Sequence, residues 1–292
     1  MKLGSKLSPK VKTALKVVVG LGFTGGLVYL LNRLFAGYEV SSQQADVLPA
    51  LDSTSSSDST GGSTVNFDTA IDPLVQPYAA QMRAAGDQYG ASPWLLAGIM
   101  MRESNGGSAL TPPGPGGVGD KSPRWPAGSP NLKGALPSKY AVYADPNTGF
   151  PPGLVGWGLG LMQLDFGAMH SFVTSNDWTD PQTNINGAAQ VLSSNLVYFA
   201  RVPLPTPVSI ESWRGWDAKY GVSGMYADPR PLTGDLLIRA AVAAYNAGTG
   251  GVLEAVAAGL DPDVPTTGGD YSSWVMQHIQ QWSGQSSVPT TA

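Results

Sequence analysis

Past residue 66, apolar residues recur every three or four positions in long stretches and alternate with polar ones almost nowhere. That pattern predicts packed helices rather than strands. Residues 77–89 are amphipathic and stop at Gly90, a residue type suited to the left-handed turn after a helix. Residues 92–104 open with Ser92 at the N-cap position and Pro93 at the first helical position, where its missing N–H costs nothing. Residues 184–201 repeat apolar side chains at helical spacing, and 235–246 are nearly all apolar, which predicts the central buried helix. Residues 250–258 and 271–282 complete the set. The fold class expected is mainly α, with at most one small hairpin near 140–145. Two Gly- and Pro-rich stretches, 105–155 and 202–234, interrupt the helices. Loops of that length in a compact domain are usually functional or partner-binding, and surface insertion is the plain alternative.

The first 36 residues follow a different pattern. Residues 17–31 read VVVGLGFTGGLVYLL without a charge, and with the flanking apolar positions they reach a membrane-spanning length of ~20 residues. Lys2, Lys6, Lys10, Lys12 and Lys16 precede this run, so the positive-inside bias predicts a cytoplasmic N-terminus and an exported body. A cleaved signal peptide and a helix buried in a virion or other assembly are the alternatives. Residues 41–65 are rich in Ser, Thr, Gly and Asp and read as a flexible tether. The division expected is therefore a basic anchor at 1–37, a linker at 38–66, one globular domain at 67–285 carrying the two insertions, and a short tail at 286–292.

Composition changes this picture in two ways. The chain has 292 residues, of which 13% are charged, with 37 Gly and 24 Pro. Such a balance suits long ordered loops, which the Trp and Tyr residues can anchor. There is no Cys, so neither a disulfide nor a thiolate metal site is available. The net charge of −4 hides an asymmetry: the basic start holds 6 of the 17 Lys and Arg and none of the 21 acids, which leaves the remainder at −10. A body that acidic is a poor nucleic-acid binder. His170 and His278 stand outside any metal-ligand spacing, so no metal and no cofactor are expected.

The candidate chemistry starts at Glu103. Leu96, Ile99 and Met100 stand seven, four and three positions before it and so share its helix face. A carboxyl on an apolar face is poorly solvated, and desolvation can push a Glu from about 4.3 toward about 6. A carboxylic acid that keeps its proton near neutrality is what a glycosidic oxygen needs as a donor. Taken alone, the same pattern also fits a partly exposed Glu at a helix end. Two later motifs add to it. In Gly156-Trp157-Gly158-Leu159-Gly160-Leu161-Met162-Gln163-Leu164-Asp165, glycines let backbone approach a ligand closely and Gln163 offers a donor and an acceptor. Asp165 is a second carboxylate, which can equally cap the helix after it. In Ala244-Tyr245-Asn246-Ala247-Gly248, a phenol sits at a helix end.

Glu103-Ser104, Gly160-Leu161-Met162-Gln163 and Ala244-Tyr245-Asn246-Ala247-Gly248, in that order, resemble lytic transglycosylases and goose-type lysozymes. The goose-type pattern is nearer: Asp165 follows the Met-Gln turn, His170 and Trp178 match more loosely, and Thr266-Thr267-Gly268-Gly269-Asp270-Tyr271 matches its C-terminal signature. The resemblance covers about 75–285. It implies a lysozyme-like helical domain that cleaves the β-1,4 bond between N-acetylmuramic acid and N-acetylglucosamine in peptidoglycan. It implies Glu103 as general acid, and Gly160, Met162, Gln163, Tyr245, Asn246, Tyr271 and His170 around the substrate. It also implies aspartates that hold the attacking water: Asp165, and Asp120 after Gly117-Val118-Gly119. Trp94, Tyr143, Trp157, Trp178 and Tyr245 are candidates for stacking on sugars, with Trp157 on the glycine turn the foremost. One acid alone permits a 1,6-anhydro product. An opposed carboxylate about 6.5–9.5 Å away permits inverting hydrolysis, which Asp165 and Asp120 favour. The rival class is a non-catalytic wall-binding or virion structural protein that keeps the fold. A bacterial envelope machine and a phage that opens the wall are both compatible settings.

Overall fold

A computed structural model describes residues 65–119, 158–165, 168–211, 215–285 and 288. The expected anchor, the linker and the hairpin near 140–145 lie outside these residues. Among the described residues no helix is long and apolar enough to cross a membrane.

The domain begins with a short helix, α1 (Phe67–Ala70), and a 3-10 turn (Gln76–Tyr78) that leads into α2 (Ala79–Tyr89). Gly90 ends α2 with φ 69°, as the sequence predicts. Helix α3 (Pro93–Ser104) follows, with Ser92 at the cap position, although the Ser92 side chain makes no capping bond. Two two-residue strands, β1 (Gly158–Leu159) and β2 (Leu164–Asp165), pair antiparallel. Helix α4 (His170–Ser175) then precedes the long α5 (Pro181–Ala200). Helix α5 starts three residues before the periodic apolar pattern does, because the Asp180 side chain accepts from Thr183 N at 2.8 Å and Pro181 takes the first helical position.

The second Gly/Pro-rich stretch is not structureless. Strands β3 (Val208–Ile210) and β4 (Gly224–Tyr226) form an antiparallel hairpin around the short helix α6 (Trp216–Tyr220). Ile210 and Trp216 bury themselves against Ala255 in a small cluster of their own. An ion pair seats the stretch on α5: Asp228 and Arg230 side chains, both 4% exposed, meet at 2.6 Å, and Arg230 Nη1 donates to Tyr198 O. Helices α7 (Gly234–Ala247), α8 (Thr249–Ala257) and α9 (Tyr271–Ser283), with a 3-10 turn at Thr267–Gly269, close the chain.

The core is one apolar cluster between α5, α7, α2, α3 and α9. Helix α7 contributes Ile238, Ala240, Ala241, Val242, Ala243 and Ala244, nearly all fully buried, as its composition predicts. Trp94 is buried against Phe67 in an edge-to-face contact, with ring centroids 5.0 Å apart. Trp178 is buried as well. Both rings are core residues rather than sugar platforms, since both are buried.

One contact decides where the end of α3 lies. A Cβ on Gly98 would sit 2.8 Å from Val275 Cγ1 and 3.4 Å from Ile279 Cδ1. The missing side chain lets α9 press against α3 and brings their functional ends together. We expect Gly98→Val to destabilise the domain by about 2 kcal/mol, the usual cost of overpacking, read as a lower midpoint in urea unfolding. Gly98→Ala should cost less, because its gain in helix propensity offsets part of the clash.

Candidate functional site

Glu103 occupies the last turn of α3 and is half-buried. The helix stops at once: Asn105 adopts φ 51° and its N–H bonds Met101 O at 3.0 Å. Ser104, fully buried, donates from Oγ to Met100 O at 3.2 Å and accepts from Gly107 N at 3.0 Å. The serine beside the acid thus locks the turn that ends the helix.

Two neighbouring residues of α3 reach the start of α9. The Tyr271 hydroxyl donates to Glu103 Oε1. Arg102 Nη2 donates to Asp270 Oδ1 at 2.6 Å, and its guanidinium lies 5.2 Å from the centre of the Trp274 ring. Tyr271 is the first residue of α9 and is buried, so its phenol points into the protein toward the acid. Burial, then the charge of Glu103, raises the Tyr271 phenol well above 10.0, with the bond to Glu103 and the nearby Tyr245 adding to this and Arg102 opposing it. Burial, then Glu103, raises Tyr245 in the same way. Both phenols therefore stay protonated at neutral pH and remain donors.

Tyr245, on the last turns of α7, donates to Met162 O at 2.7 Å. The N–H of Met162 donates in turn to Asn184 Oδ1 at 2.8 Å. Asn184 Nδ2 donates to Leu159 O at 3.0 Å and to Trp178 O at 3.1 Å. A single buried carboxamide thus holds the glycine turn from below, with all of these polar groups matched. Gly160 has φ 68°, and a Cβ there would come within 2.3 Å of Asn184 Nδ2. The glycine therefore serves a left-handed turn and a close side-chain approach together, not only access for a ligand.

Gln163 is also left-handed, with φ 49°, and its Nε2 donates to Gly160 O at 2.8 Å. Its carboxamide lies between two backbone strips, since a Cβ on Gly119 or Gly158 would overlap its Oε1. Those strips form a small sheet. Val118 bridges to Thr111 on one side and to Leu159 on the other, and Gly160 N donates to Gly117 O at 2.9 Å. The Gly117-Val118-Gly119 segment therefore runs beside the Met-Gln turn. Asp120 follows Gly119 and lies outside the described residues, as do Tyr143 and Trp157.

Asp165 closes the turn ahead of α4 rather than capping the helix, whose N-cap is Met169 without a side-chain bond. Its Oδ1 accepts from Ala168 N at 2.8 Å, and its carbonyl accepts from Met169 N at 2.8 Å, so it leads the chain into α4. His170 begins α4, and its side chain lies outside the description. Asn246 binds within the protein: its Oδ1 accepts from Thr267 N at 2.8 Å and ties the end of α7 to the turn before Tyr271. His278 stacks on Trp274 with centroids 3.6 Å apart, a packing role on α9.

Glu103, Tyr271, Tyr245, Met162, Gly160 and Gln163 thus gather in one place through direct bonds and shared contacts. Asn184 and Arg102, which the sequence analysis did not single out, do much of the holding. Asn184 had a readable cue: the Asp180-Pro181 start places it in the first turn of α5. A half-buried carboxyl that receives one permanent phenol donor, beside a rigid Gly-rich turn, can transfer a proton to a bound oxygen.

The family model described as Transglycosylase SLT domain matches residues 81–261. This span includes Glu103, the Met-Gln turn and Tyr245, and ends before Tyr271. No curated protein matches the chain.

Replacing Asn184 by Ala leaves Met162 N–H, Leu159 O and Trp178 O in a buried site without their partner. We expect a loss of roughly 3 kcal/mol, from the cost of unsatisfied buried groups, measured by chemical denaturation.

Proposed function

This chain belongs to the transglycosylase SLT domain family, and from that premise we propose that it cleaves the β-1,4 bond between N-acetylmuramic acid and N-acetylglucosamine in peptidoglycan, with Glu103 as the general acid. The observation that carries the assignment is the Tyr271 hydroxyl on Glu103 Oε1, with Tyr245 within electrostatic reach of the same carboxyl.

Glu103 gives its proton to the glycosidic oxygen as the bond to the muramic C1 breaks. The positive charge that develops on the sugar ring is neutralised when the sugar's own 6-hydroxyl oxygen attacks C1. The proton of that hydroxyl returns to the Glu103 carboxylate, and a 1,6-anhydro end results. The step needs one acid that becomes one base. Tyr271 supports the carboxylate form between the two transfers, because a bond to the charged group is the stronger one. The bond from Ala168 N to Asp165 Oδ1 supports this route, since it ties the carboxylate to the turn ahead of α4.

Inverting hydrolysis is the second reading. It is favoured by the pairing of Gly119 N with Gly158 O at 3.3 Å, which holds the residue that precedes Asp120 in sequence against that hairpin. In that reading Asp165 or Asp120 holds the attacking water. The basic, apolar N-terminus supports a domain tethered to a membrane and working on the wall outside the cytoplasm.

In a murein zymogram the wild-type chain should clear, and Glu103→Gln should clear roughly 100-fold less or worse, as expected for loss of the acid. Equal clearing by the two would end the assignment. Mass spectrometry of the released muropeptides should find 1,6-anhydro ends. Asp165→Asn keeps the acceptor for Ala168 N and should retain most of the activity. A drop of about 100-fold, with reducing ends in the products, would move the conclusion to Asp-assisted hydrolysis.

A further inference from the structure

Helix α9 presents Tyr271 as its first residue, and a helix start leaves its first backbone N–H groups without partners inside the helix. Residue Asp270, at the cap position, makes no capping bond with its side chain, which is engaged by Arg102. The partners come from five to ten residues upstream. Asp263, 1% exposed, accepts from Ser272 N at 2.6 Å and from Ser273 N at 2.9 Å. It also accepts from the hydroxyls of Ser272 at 2.9 Å and Ser273 at 2.7 Å. Its carbonyl accepts from Thr266 Oγ1 at 2.7 Å, and that hydroxyl accepts from Tyr271 N at 3.4 Å. The first three amides of α9 are thus held, directly or through Thr266, by one residue.

The same carboxylate reaches the other tyrosine-bearing helix. Arg239 of α7 donates from Nη2 to Asp263 Oδ2 at 3.2 Å, to Asp261 Oδ1 at 2.7 Å and to Ser273 Oγ at 2.9 Å, and from Nε to Ser272 Oγ at 3.3 Å. Helix α7 carries Tyr245 and α9 carries Tyr271. No other titratable group is bonded to the Asp263 carboxylate among the described residues. Burial works to raise the Asp263 carboxyl, but the bonds from Ser272 and Ser273 outweigh it and keep it below 3.8. The carboxylate is therefore charged whenever the enzyme works.

We propose that Asp263 is a positioning residue for the glycosidic step: it seats the start of α9 so that the Tyr271 hydroxyl stays on Glu103, and it locks that seat to the helix of Tyr245 through Arg239. Asp263 touches no substrate. Its effect passes through the Tyr271–Glu103 bond, and a shift of that phenol by a fraction of its bond length removes a donor from the acid. The inference rests on Glu103 as the general acid.

The test uses the full chain acting on soluble peptidoglycan fragments, with pH–rate profiles for wild type, Asp263→Asn, Tyr271→Phe and the double variant. The high-pH limb of kcat reports loss of the proton from the acid in the bound enzyme. Without the phenol donor the ionised acid is less supported, so the limb moves to higher pH. We expect Asp263→Asn to move it upward by about one pH unit, the size of one hydrogen bond to a carboxylate. We expect kcat to fall roughly 10- to 100-fold with KM nearly unchanged. The double variant should be no worse than Tyr271→Phe alone, because both act through one bond. Ser273→Ala removes one hydroxyl bond to Asp263 from an exposed position and should give a smaller shift in the same direction. That variant carries the test if Asp263→Asn does not fold. A limb that stays in place, or losses that multiply in the double variant, would overturn the proposal while Glu103→Gln remains inactive. If Glu103→Gln retains full activity, the acid assignment falls, and the role of Asp263 falls with it.

Discussion

A single hydrogen bond, from the phenol of Tyr271 to the carboxyl of Glu103, joins the C-terminal turn of one helix to the N-terminal residue of another. The rest of the site is arranged around that meeting. The negative end of the α3 dipole opposes an ionised Glu103, and the Tyr271 donor supports it. Arg102 and Asp270, one residue back on each helix, pair in parallel and hold the two ends at a fixed separation. Behind them Gly98 gives up its side chain so that Val275 and Ile279 can approach.

The second fixed point is the peptide of Met162. Its carbonyl is held by Tyr245 from above and its N–H by Asn184 from below, which clamps a tight turn with two left-handed residues. Left-handed backbone at Gln163 costs of order 1 kcal/mol or more, and it persists because side chains on α5 and α7 hold the turn between them. Gln163 closes part of this turn with its own carboxamide. The turn is accordingly held from both sides. Asn246 and Thr267 then join the end of α7 to the segment before Tyr271, so the two fixed points share a frame.

The loops make a contrasting case. The 202–234 stretch reads as an insertion, yet Ile210 and Trp216 give it a hydrophobic cluster, and the buried Asp228–Arg230 pair fastens it to Tyr198 of α5. A buried pair of this kind adds little net stability, but it is costly to break. It sets the geometry of the connection before α7, and so the position of the helix that carries Tyr245.

The long helices were legible in the sequence because burial on one face imposes a period of 3.6, and that period survives without any knowledge of neighbours. Gly90 as a stop, the apolar wheel of α7 and the face shared by Glu103 with Leu96, Ile99 and Met100 are all local facts. The start of α5 at Pro181 was missed, because periodicity places it at 184 and the Asp180-Pro181 start signal lies before the first periodic residue. The short strands were not, since two or three residues are too few to show alternation, and their partners at Val118 and Leu159 lie about forty positions apart in the chain. The same holds for the site. Residue types at Glu103, Gln163 and Tyr245 announce candidate chemistry. Which atoms they bond is set by contacts over long sequence separations: Tyr271 to Glu103, Tyr245 to Met162, Asn184 to three backbone groups, Asp263 to the head of α9. A hydrogen bond has direction and a range of about 3 Å, and no spacing along a chain encodes that. Tertiary packing alone decided that Asn246 and Gln163 bind within the protein, that Trp94 and Trp178 are core, and that a distant aspartate accepts from the first amides of α9.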